Sequence, residues 1–468
     1  MRRSLAISLL VGTLIGLVGV PPAAAATSHE QVPLPTVSGP IAGQPFGAAP
    51  VPLPGYTEQE FFVSGTATGY QQVGTWGSDG RWSVAPAEQA PYTTRILVRR
   101  PAPDRFNGTV IVEWLNVSAG VDLDPDFLYG SAELLRAGYA WVGVSAQAVG
   151  VNALRAINPA RYGALSHPGD TFSYSIYSQA TRAALDGGVL GGLRPRAVIA
   201  DGESQSAFRM VTYANAIQPI DGLFDGFLIH SRSAGSAAIS QAPQAVQPSP
   251  PIVDDRTDLR APVLTVETET DLVAPNLNYA KLTQPDSRGV RLWEIAGTSH
   301  VDAAELALFG QEIAMGLHGP PPPVATCGQA PNSDQENAVM DAAFAQLDRW
   351  VRFGRPARHA NRVTVANGAI VRDADGNAEG GIRTPEQQVP TGVHNGNDNT
   401  GPAFPCALYG TTTPFTPAEL TSRYPTHADY VARVAGAAVA DTVAGFLLPA
   451  DARQIVSAAA KAPVPPSA

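Results

Sequence analysis

Cysteine is nearly absent from this 468-residue chain, which carries two, Cys327 and Cys406. Two thiols and eight scattered His leave no Cys-rich zinc centre to build, so no metal is expected. Neither Cys stands at a strand-to-helix turn beside a His, which excludes a thiol nucleophile. Charge is sparse as well. Asp, Glu, Lys and Arg make up 15% of residues, with few Lys, and the formal balance is −10. That argues against nucleic acid and anionic membrane surfaces as partners. Past the N-terminal stretch no run is apolar enough to span a bilayer, so no integral membrane segment is expected in the mature chain. Internal repeats are missing too.

The chain is rich in Gly (45) and Pro (42), which suggests long, Pro-stiffened loops on a rigid sheet. Residues 1–26 read as an export signal. Arg2 and Arg3 give the positive start, Leu5 to Val20 the apolar stretch, and Ala23 to Ala26 the small-residue cleavage site. The expectation is a secreted protein, extracellular or periplasmic, cleaved near Ala26. In an exported chain the pair Cys327 and Cys406 reads as one disulfide. It would tie a segment near position 327 to the C-terminal region.

The densest signal is Gly202-Glu203-Ser204-Gln205-Ser206-Ala207. It follows the apolar run Ala197 to Ala200 and precedes a segment, Phe208 to Ala214, suited to a helix. A strand turning sharply into a helix, with Ser at the apex and small residues two positions to either side, is a nucleophile elbow. The common pattern has Gly where this chain has Ser206. Downstream, Ala261 to Val266 reads as a buried strand running into Glu267-Thr268-Glu269-Thr270-Asp271. Val290 to Ile295 alternates as another strand and ends at Ala296-Gly297-Thr298-Ser299-His300. Nucleophile, acid and His in that chain order, the last two on loops after strands, compose a catalytic triad. The hydroxyl needs an imidazole to take its proton, and the imidazole needs a carboxylate to fix its tautomer. Asp271 is the first choice for that acid; Glu269 is the alternative, with Glu267 a further rival.

Acyl transfer also needs backbone N–H donors for the oxyanion. One is expected from Gln205, after the nucleophile, and the other from Asn116 or Val117, in the loop after the strand Gly108 to Asn116. Trp114, His230 and Tyr174, with Phe172 and Tyr177, are candidates to line a substrate pocket. Asp122, Asp124 and Asp126 read as solvated turn acids, and Asp373 to Asn377 as a hairpin turn.

Strands at residues 60–67, 93–101, 108–116, 139–145, 226–230, 261–266 and 290–295 alternate in their later part with helices near 132–137, 174–185 and 336–353. The fold class expected is α/β, a mainly parallel central sheet with helices on both faces. An extended arm precedes it at residues 27–55. The core would cover 27–357, with a lid or loop insertion near 233–260 and a C-terminal extension at 358–468 packed on the core.

These strings resemble a bacterial alpha/beta hydrolase domain family whose members carry a Gly-Glu-Ser-Gln-Ser elbow. The resemblance rests on Val112 to Ser118, Gly202 to Ala207, Thr268 to Asp271, Arg291 to His300, Leu347 to Val351, Asp373 to Gly381 and Tyr424 to His427. In that family the second elbow Ser is the norm. The resemblance implies a serine-hydrolase fold and ester hydrolysis, and it implies little about the substrate. The expected activity is carboxylester cleavage through an acyl-enzyme, on a small-molecule ester and without a cofactor. An acyltransferase, a peptidase or a non-catalytic binding protein on the same fold remain open alternatives.

Overall fold

The computed structural model describes residues 31–466, apart from residues 324, 335 and 403. The expected export signal at 1–26 lies outside the described residues. The chain builds a nine-stranded sheet from β1 (Thr36–Ser38), β2 (Tyr56–Val73), β3 (Ser83–Pro101), β4 (Thr109–Trp114), β5 (Ala140–Val144), β6 (Ala197–Glu203), β7 (Gly226–His230), β8 (Val263–Thr268) and β9 (Val290–Ile295). Their order is β1-β2-β3-β5-β4-β6-β7-β8-β9. The first three strands and the β3–β5 pair are antiparallel; every pair from β5 to β9 is parallel.

The parallel strands are apolar runs because helices cover both of their faces. Alternation along each strand sorts its side chains between two cores. Val110, Val112, Val198, Ala200, Phe227, Ile229 and Val263 point to one side. Ile111, Ile199, Leu228, Leu264 and Trp293 point to the other. The covering helices include α1 (Pro125–Ala137), α2 (Ser173–Asp186), α3 (Gln205–Thr212), α4 (Ala303–Leu317) and α5 (Asn337–Phe353). Helices α2 and α3 pack on the first face, and α1 and α5 on the second. The mainly parallel α/β sheet with helices on both faces is thus the observed fold.

C-terminal helices α6 (His427–Ala444) and α7 (Pro449–Ala459) complete the chain. Helix α7 docks through Asp451 to Arg136, 3.1 Å, and the connection between the two helices sets the ring of Phe446 edge-on to Trp293. Cys327 and Cys406 are joined as a disulfide. No helix among the described residues is long and apolar enough to cross a membrane.

One expectation needs correction here. Asp122, Asp124 and Asp126 are not solvated; all three are at most 1% exposed. Arg95 from β3 pairs with Asp122 at 3.0 Å, Arg99 pairs with Asp124, and His230 from β7 lies 2.8 Å from Asp126. Burial is tolerated because each acid meets a cation or an imidazole. Of the lid or loop expected at 233–260, the structure shows the loop. It is an irregular loop held into the body, with Asp255 paired to Arg232 at 2.7 Å and Val253 N–H donating to Ala234.

Candidate active site

Three strand ends meet at the carboxyl edge of the sheet. Strand β6 turns into α3 at Ser204, whose φ of 56° and ψ of −121° place it outside the usual regions for a side-chain-bearing residue. Such a conformation costs about 1–3 kcal/mol and holds only where its surroundings impose it. The Ser204 N–H donates to the His230 carbonyl at 2.9 Å. Small residues are required because strand and helix nearly touch. A Cβ on Gly202 would lie 3.1 Å from both the Ser206 Cβ and the Met210 Cγ.

Beyond β8 a short helical turn, Glu269–Val273, begins with a capping box. The Asp271 Oδ2 accepts from the Thr268 N–H and hydroxyl, both at 2.7 Å, and from the Ser231 hydroxyl at 2.9 Å. This fixes the carboxyl and aims Oδ1 at His300 Nδ1, 2.6 Å away. His300 sits on the loop after β9. Its N–H donates to the Thr270 hydroxyl at 3.0 Å, and its Nε2 lies 2.8 Å from Ser204 Oγ. Gly297, with φ of +83°, turns the loop that leads to His300, at a point where a Cβ would overlap Gln387 and Asp334.

Glu269, the alternative acid, lies elsewhere in the network. Its carboxylate accepts from the Gly297 N–H at 2.6 Å and the Gly396 N–H at 3.0 Å, and pairs with Arg372 at 2.8 Å. It holds the His loop in place. Glu267 is fully buried in β8, and burial pushes its carboxyl well above the ordinary value.

Burial alone would raise Asp271, but His300 and the Thr268 donors outweigh it and hold the carboxyl below its usual range. Burial alone would lower His300; Asp271 and Glu203 outweigh that and raise it above 6.5. Glu203 was read only as part of the elbow. Its Oε1 stands 3.4 Å from His300 Nε2, and burial pushes its pKa up to about 7. Nothing in the sequence pattern marks this contact, because the x position of the elbow tolerates many residues.

Of the expected oxyanion donors, Gln205 opens α3, where the first N–H groups have no intrahelical partner. The Asn116 N–H does not fit, because it donates to the Leu123 carbonyl at 2.9 Å in a small bridge. The Asn116 side chain closes a turn by accepting from the Ser118 N–H and donates to the Glu203 carboxyl at 2.8 Å. Val117 is left as the neighbouring candidate in that loop.

The aromatic pocket expectation fails. Trp114, Tyr174 and Tyr177 are completely buried, with rings 4.9–5.6 Å apart, and the Trp114 N–H donates to Gln147. Phe172 is buried too. His230 is equally buried, between Asp126 and, 3.1 Å from Nε2, Glu336. These side chains pack layers together rather than facing a ligand.

The cavity that does reach Ser204 and His300 has a volume of about 500 Å³. Its walls come from the elbow, from α4, from a segment with Pro322, Pro323 and Ala325, and from one with Pro405, Leu408 and Tyr409. The disulfide ties the last two segments together. Helix α4 was not expected from the sequence, although Asp302 is a readable N-cap, accepting from the Ala304 and Glu305 N–H groups. A hydroxyl, an imidazole and an oriented carboxylate in line beside such a cavity have the geometry that acyl transfer requires.

The family model for an alpha/beta hydrolase domain matches residues 25–457. No curated protein matches the chain. Among solved structures, XC6422 of Xanthomonas campestris, a serine hydrolase, is 14% identical, covering 50% of this chain and 86% of its own with a TM-score of 0.29. The carboxylesterase EST55 of Geobacillus stearothermophilus is 16% identical, covering 56% and 77% with a TM-score of 0.32. At that distance neither passes an activity to this chain.

Proposed function

Since the chain belongs to the alpha/beta hydrolase domain family, we propose that it is a secreted serine carboxylesterase. The observation that carries the reading is the unbroken line from Ser204 Oγ to His300 Nε2, 2.8 Å, and from His300 Nδ1 to Asp271 Oδ1, 2.6 Å. Ser204 Oγ attacks the ester carbonyl carbon while His300 Nε2 takes the hydroxyl proton. The carbonyl π electrons move onto oxygen, and the Gln205 and Val117 N–H groups hold that oxyanion. Collapse breaks the ester C–O bond, and His300 returns its proton to the departing alcohol. A water molecule, deprotonated by the same nitrogen, then cleaves the acyl-Ser204 ester and restores the hydroxyl. His300 Nδ1–H donates to Asp271 throughout, and the carboxylate steadies the imidazolium without taking its proton.

Export is favoured by the signal-like pattern at residues 1–26 and by the disulfide, which suits an oxidising compartment. The test is hydrolysis of short p-nitrophenyl esters by the purified protein and by Ser204→Ala. The variant should lose activity by roughly a thousandfold or more while keeping its circular dichroism. Equal rates would remove Ser204 from the chemistry.

A further inference from the structure

The lining of the Ser204 cavity is one-sided in charge. Phe208, Leu277, Leu306, Phe309, Ile313 and Leu408 supply apolar walls, three of them from α4. Among the described residues that line it there is no Lys and no Arg; the ionisable side chains are Glu203, His300 and Tyr409. Arginines near site residues in sequence are committed elsewhere. Arg209 pairs with Asp170 at 3.0 Å, Arg232 with Asp255 at 2.7 Å and Arg372 with Glu269 at 2.8 Å. The Asn116 amide fixes the Glu203 carboxyl at the reacting end. A carboxylate or phosphate entering here would shed water without meeting a cation, and would face an acid on a chain of net charge −10.

We infer that this cavity selects neutral esters with an apolar group of medium size and rejects esters that carry a second, anionic group. The inference rests on the esterase reading and names its substrate class. At roughly 30 Å³ per non-hydrogen atom, the share one water takes in the liquid, the cavity has room for about 17 such atoms. Binding then grows with apolar area, so kcat/KM should rise roughly fourfold per added methylene until the space is filled.

The experiment compares dimethyl adipate with its monomethyl half-ester at pH 8, using the full mature protein. It also compares labelling rates of a neutral alkyl fluorophosphonate and the same probe ending in a carboxylate. The expected result is a preference of about a hundredfold for the neutral member in whichever assay gives signal. Phe309→Lys, or Ile313→Lys should the first not fold, is expected to raise the half-ester rate by about tenfold by supplying the missing cation. Half-ester and diester rates within about threefold, with Ser204 still labelled, would overturn the inference and leave the esterase reading standing. No turnover and no labelling of Ser204 by either probe would overturn both.

Discussion

Replacing Asp271 by Asn tests the site through a conflict that the structure makes unavoidable. The Oδ2 atom accepts three hydrogen bonds, from the Thr268 N–H, the Thr268 hydroxyl and the Ser231 hydroxyl, while Oδ1 faces His300 Nδ1. An Asn side chain has one acceptor oxygen. Turning its NH2 toward Thr268 and Ser231 would strand three buried donors, at about 1–3 kcal/mol each. The oxygen therefore stays with them and the NH2 meets Nδ1. The imidazole must then carry its proton on Nε2, which can no longer take one from Ser204. A triad locked in that tautomer loses about four decades in kcat, or about 5–6 kcal/mol of transition-state stabilisation. The assay is kcat and KM on a p-nitrophenyl ester, with circular dichroism and melting to show that the fold persists. If Asp271→Asn stays within about tenfold of the parent while Glu269→Gln loses about a thousandfold, the orienting acid has been misassigned.

Further outcomes follow from the same contacts. His300 must be unprotonated to act as a base, and its pKa lies above 6.5. So kcat/KM should fall, as pH drops, through a midpoint above 6.5; an acid limb centred near pH 6 or below would contradict this. Gly297→Ala places a Cβ against Gln387 and Asp334 at a φ of +83°. It should cost about 3 kcal/mol in denaturant unfolding and lower kcat by moving the His300 loop, and an unchanged midpoint would refute the tightness of that turn. Arg99→Met leaves buried Asp124 without its cation. A loss of about 3–5 kcal/mol is expected on thermal or denaturant unfolding, and less than about 1 kcal/mol would show that the pair carries little.

Local patterns were legible and long-range ones were not. The elbow, the strand before Asp271 and the strand before His300 are each short strings whose meaning is complete within about ten residues. The observed β8 is shifted two residues past the expected strand, to Thr268, because the capping box rather than the apolar run sets its end. Helix α4 was missed because Gly310 and Gly316 weaken its helical signal in sequence and because apolar residues lining the cavity blur its period. Asp122, Asp124 and Asp126 read as solvated because nothing nearby in sequence announces Arg95 and Arg99, which arrive from β3. Trp114 and Tyr174 illustrate the same limit. Strand and helix ends near a site hold large aromatics for packing as readily as for binding, and only the fold shows that these two face each other.

The shortest route to the central claim is the intact mass of the protein after a stoichiometric alkyl fluorophosphonate, followed by peptide mapping. One adduct on Ser204, lost in Ser204→Ala and strongly slowed in His300→Ala, is the expected result. A folded parent protein that stays unmodified, or an adduct that persists without Ser204, would contradict it.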